Sequence, residues 1–146
     1  MANDSNSKFK YTAGLNHVGS YQASARPFLK SGLEAPISGA IDAALEVAFP
    51  KVTKFVTVRN DGHPNSASCD IRLAFASGGL DENYDNYITI AESASFSADF
   101  RITRLYLLSA GTGLVNATVT AGLTNIDASH LTSSWEHLDG VGGPIV

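Results

Sequence analysis

The chain has 146 residues, of which 44% are hydrophobic and only 16% charged, with a formal net charge of −4 and a single cysteine. That length supports one domain with a real core and leaves no room for a second. The charge balance lacks the concentrated basic footprint of a nucleic-acid binder, and one cysteine excludes a framework of intrachain disulfides.

The start of the chain is polar, Asn3-Asp4-Ser5-Asn6-Ser7-Lys8, unlike a signal peptide, and predicts synthesis in a cytoplasm. No uninterrupted apolar run is long enough to span a bilayer, so no membrane role is expected. Residues 1–13 read as an N-terminal arm, with short strand candidates at Lys8–Thr12 and, beyond the arm, Val18–Ser24. From residue 45 onward alternation dominates. Leu45, Val47 and Phe49 alternate before Pro50, and Val52, Phe55, Val56 and Val58 form a β-branched and aromatic run. Cys69, Ile71, Leu73 and Phe75 alternate with Asp70, Arg72 and Ala74, which makes Cys69 a small buried hydrophobe. Tyr87, Ile88 and Ile90 suggest a short strand, followed by Phe96, Ala98, Phe100 and Ile102, then Leu105 and Leu107, then Leu114 through Ala121.

Turn residues punctuate these runs: Asn60-Asp61-Gly62, Ser77-Gly78-Gly79, and Ala110-Gly111-Thr112-Gly113 as a hairpin turn. Ile37–Ala48 also fits one helical turn through Ile41, Ala44, Leu45 and Ala48. Short strands at this spacing predict an all-β, single-domain antiparallel sandwich of about eight strands, jelly-roll-like. The sandwich spans 14–126, and the Gly-rich segment 127–146 forms a C-terminal arm whose Trp135, Leu138, Val141, Ile145 and Val146 need something to pack on.

Chemistry-bearing motifs are sparse. Asp81, Asn83, Asp85 and Glu92 stand at positions 1, 3, 5 and 12 of a calcium loop, a spacing that turns several oxygens inward around one ion. Asn86 replaces the usual glycine at position 6 and the flanks do not read as helices, so a solvated acidic turn is the competing reading. His17, His63, His130 and His137 show no zinc-ligand spacing, although His130 and His137 beside Asp127 and Asp139 are placed to lend pH sensitivity. No nucleophile-elbow, P-loop or dinucleotide motif occurs, so neither an enzyme nor a cofactor is expected. Tyr11, Tyr21, Tyr84, Tyr87, Tyr106 and Trp135 are candidates for a sugar-stacking face, with core packing as the alternative.

The segment from Gly14-Leu15-Asn16-His17-Val18-Gly19 to Arg26-Pro27-Phe28-Leu29, then Phe49-Pro50-Lys51-Val52, Leu105-Tyr106-Leu107, Ala121-Gly122-Leu123-Thr124 and the ending with Trp135 and Gly140-Val141-Gly142, resembles small jelly-roll virion structural proteins. These are the capsid-associated or decoration proteins of tailed phages and large DNA viruses. The resemblance implies a virion component, made in a host cytoplasm, that clamps or covers the shell as a homo-oligomer, a trimer foremost, with the major capsid protein or other virion proteins as partners. On that reading residues 14–29 and 127–146 are the interface elements, with Phe28, Leu29, Trp135 and Leu138 as anchors, because large apolar side chains dominate interface energy. The alternative is a receptor- or glycan-binding module on a particle surface.

Overall fold

A computed structural model describes residues 14–16, 18–22, 24–65, 70–80, 85–131 and 141. Its strands are β1 (Arg26–Ala35), β2 (Leu45–Ala48), β3 (Lys51–Gly62), β4 (Ile71–Ala74), β5 (Ile88–Ile90), β6 (Ser95–Ala98), β7 (Arg104–Ser109) and β8 (Val115–Asp127). A five-residue helix, α1 (Val18–Gln22), precedes them, and 3-10 turns stand at Ile41–Ala43, Ser77–Leu80 and Ala128–His130. No helix of the described residues is long and apolar enough to cross a membrane.

The pairing has a simple logic. β1 pairs with β8, β2 with β7, β3 with β6 and β4 with β5, all antiparallel. The chain is thus one long hairpin, with arms β1–β4 and β5–β8, rolled so that β3 also meets β8 and β4 also meets β7. Two four-stranded sheets result, a first in the order β1-β8-β3-β6 and a second in the order β2-β7-β4-β5. This is the jelly roll expected from the strand spacing. Strand direction gathers the connections after β1, β3, β5 and β7 at one end, the rim, and those after β2, β4 and β6 at the other, the base. Both chain flanks also leave from the base.

Alternation puts Val56 and Val58 of β3, Leu73 of β4, Leu105 and Leu107 of β7, and Val115, Ala117, Val119 and Ala121 of β8 inward, every one of them buried. The open sides between the sheets are plugged by aromatics. Phe28 meets Phe49 edge-on at 5.0 Å on the β1/β2 side. Phe100 meets Phe75 at 5.3 Å and Phe96 at 6.4 Å on the opposite side. Asn60 locks the rim from inside: it is fully buried, its side-chain amide donates to the Ile90 carbonyl at 2.9 Å, and its side-chain oxygen accepts from Gly62 N–H at 2.8 Å. Outside the second sheet, Leu80, Tyr106 and Leu108 form a satellite cluster with Ala74. The backbone of Val141 lies against Gly79 there, so this part of the C-terminal segment packs on its own domain.

Several expectations change. Val18–Gln22 is helical rather than a strand, since its contacts are made by one turn pressed on the sandwich base. Arg26–Ala35, which showed no clear alternation, is a ten-residue strand. A bulge between Lys30 and Leu33 puts Phe28 and Leu33, five positions apart, on the same inner face, opposite Ala121 and Ala117. Asn60-Asp61-Gly62 is not a turn but the bulged end of β3, with Gly62 at φ 70. The segment Ala110–Gly113 is not a hairpin turn, because β7 and β8 belong to different sheets. The strand expected through Ile102 stops at Ala98, and Asp99–Thr103 crosses between the sheets instead, held where Thr53 Oγ1 donates to the Phe100 carbonyl at 2.6 Å and accepts from Ile102 N–H at 3.1 Å. The Ile37–Ala48 segment divides into one 3-10 turn and β2. Lys8–Thr12 and Cys69 lie outside the described residues.

Candidate interaction surfaces

Of the four expected anchors, Phe28 and Leu29 are described, and their fates differ. Phe28 faces inward and is half-buried against Phe49 and the core. Leu29, one residue on, faces outward and is 71% exposed. Trp135 and Leu138 lie outside the described residues. So do Asp81 and Asn83 of the acidic motif, whereas Asp85 and Glu92 are described and stand at opposite ends of β5. A strand advances about 3.3 Å per residue, so β5 separates these two carboxylates rather than curling them around one point. Among the described residues no three of His, Cys, Asp and Glu come together as a metal cluster.

Leu29 is the end of a registered row on the outer face of the first sheet. It pairs with Thr120, Thr120 with Thr57, and Thr57 with Ser97. The Thr57 and Ser97 hydroxyls are hydrogen-bonded at 2.8 Å. Thr118, Arg59 and Ser95 form the next row, where Asp61 binds both Arg59 Nε and Thr118 Oγ1 at 2.6 Å. Arg59 and Asp61 pair with one another, which leaves the two rows hydroxyl-lined with Leu29 at their edge, and the exposed Glu34 beside Asn116 follows in the next row. Toward the base the Phe55 ring crosses Gly122 so closely that a Cβ there would sit 2.3 Å from the ring. Only glycine fits beneath it.

At the base a second feature was invisible in the sequence. Val52 and Ile126 of the sheet, Leu131 after β8, and the half-buried Leu15 and Tyr21 before β1 form a small cluster. The Leu15 carbonyl accepts from Tyr21 Oη at 2.7 Å and from Arg101 Nη1 at 3.0 Å, and the guanidinium lies 5.9 Å from the Tyr21 ring centre. Arg101 Nη1 also donates to Asn16 Oδ1 at 3.3 Å. Leu15, Asn16, Val18, Tyr21, Lys54, Asp99 and Arg101 line an open cleft of about 450 Å³. Nearby Lys51 pairs with Asp127 at the end of β8. The Lys51 ammonium, by hydrogen bond and by charge, holds the exposed Asp127 carboxyl below the ordinary aspartate range, with a smaller contribution from His130.

Of the described tyrosines, Tyr21 belongs to the base, whereas Tyr87, under the Arg72 guanidinium at 4.8 Å, packs against the cluster of the buried Tyr106. Thr118 and Thr120 were legible as outward-facing residues between Ala117, Val119 and Ala121, but their rows require the β3, β6 and β1 register, which no local pattern carries. Comparison with known proteins finds no family model and no curated relative that matches this sequence.

Proposed function

We propose that this chain is a structural subunit of an assembly, and in its finer form a capsid-associated or decoration protein of a virus particle, whose outer first-sheet face makes contacts with a neighbouring subunit. The observation that carries the reading is the combination of the hydroxyl-lined rows through Thr120 and Thr118, in which Arg59 is paired with Asp61, with Leu29 standing 71% exposed at their edge. Such a face desolvates without stranding a charge, and an isolated leucine gains most when a partner covers it. The strand order supports the virion form by fold analogy alone, since jelly rolls serve viral capsids but also lectins.

Light scattering coupled to size-exclusion chromatography tests the self-association. The native chain is expected as a defined oligomer, trimeric in the virion form, and Leu29→Glu as a monomer with unchanged β-sheet circular dichroism. A native chain that stays monomeric at every concentration would overturn self-association. The virion form requires the chain to be found in purified particles.

A further inference from the structure

We infer that α1 with Leu15, before β1, and the turn Ala128–His130 with Leu131, after β8, are clasped to the base of the sandwich as one cooperative unit, with Arg101 as its closing residue, so that the two are released together. This does not rest on the assembly reading.

The flanks approach the base from opposite ends of the chain and share a single small cluster: Leu15 and Tyr21 from one, Leu131 from the other, on Val52 and Ile126. Neither flank is held by its own regular structure. A five-residue helix cannot stand by itself, and the turn after β8 has three residues. Each therefore depends on the apolar surface that the other completes. The polar contacts divide in the same way. Leu15 is fastened through its carbonyl, which receives both Tyr21 Oη and Arg101 Nη1 and so uses both lone pairs. Leu131 is fastened through its own carbonyl, which accepts from Thr103 Oγ1 at 3.4 Å. Arg101 and Thr103 sit on the same short crossing between β6 and β7, two residues apart, and that crossing is pinned to β3 through Thr53. Losing Arg101 frees Leu15 and opens one side of the shared cluster; losing Leu131 opens the other. Because coupling between two sites is reciprocal, loosening either flank must loosen the other.

Hydrogen–deuterium exchange on the full chain tests this. Arg101→Met keeps an unbranched apolar stem but removes the donor and the charge over Tyr21. It is expected to speed exchange roughly tenfold both in 18–22 and in 128–131, leaving Val56–Asn60 in the sandwich unchanged. Leu131→Ala is expected to speed exchange in 18–22 as well as in 128–131. Acceleration confined to the altered flank in either variant shows two independent flanks and overturns the proposal, as does the absence of any change. If Arg101→Met spreads its effect into Val56–Asn60, Leu15→Ala replaces it as the variant on that flank, with the same expected and overturning results.

Discussion

Single residues in this protein are decided by what stands opposite them rather than by their own type. Gly122 lies in a strand, where glycine is ordinarily unfavourable, because the Phe55 ring passes over it. Asn60 is polar and yet belongs in the interior, because Ile90 and Gly62 satisfy its amide. Asp127 is charged and exposed, and its behaviour is set by Lys51. Since the folded chain lowers the pKa of Asp127, chiefly through the Lys51 hydrogen bond, the stabilisation it brings is present above the ordinary aspartate range. It is lost as pH falls through the lower folded value. Carboxyl NMR titration is expected to place the Asp127 midpoint below that of an unpaired aspartate, and Lys51→Met to move it up toward the ordinary range. An unchanged midpoint in Lys51→Met would assign the shift to another cause.

At the scale of an element, β1 shows how one strand serves two purposes. Its successive residues Phe28 and Leu29 point to opposite faces, one to Phe49 and the core, the other to the hydroxyl-lined surface. Alanine at the two positions is therefore expected to act very differently. Phe28→Ala should lower the unfolding free energy by roughly 2–3 kcal/mol, somewhat less than for a fully buried phenylalanine. Leu29→Ala should change it by less than about 0.5 kcal/mol while weakening association. Urea denaturation of the two variants below the concentration of self-association measures both, and equal losses would show that Leu29 is packed in its own domain. β1 is also an edge strand, and it blunts that edge with Pro27, Lys30 and the bulge before Leu33. This agrees with contact through the sheet face rather than strand addition.

The molecule as a whole is held by pairings between distant parts of the sequence. Arg26 pairs with Leu123 and Lys51 with Asp127, so the roll closes only after long loops have been brought together. Stopped-flow refolding is expected in the range of about milliseconds to seconds typical of non-local β topologies. A microsecond phase accounting for the whole amplitude would mean that local contacts dominate. The same non-local character divides what was legible in the sequence from what was not. Alternation of apolar side chains revealed most of the strands from Leu45 to Ala121, their inner faces and hence the all-β class, because which face a side chain takes follows from a period of two along one strand. It missed β1, where an extra residue in the bulge breaks that period. It also misread the Ala110–Gly113 link as a hairpin, because a turn residue does not state which sheet the next strand enters. The row from Leu29 to Ser97 and the Arg101 clasp on Leu15 were decided by tertiary structure alone. Each depends on which strands lie side by side and in what register, and that is settled by packing the whole roll rather than by any one segment.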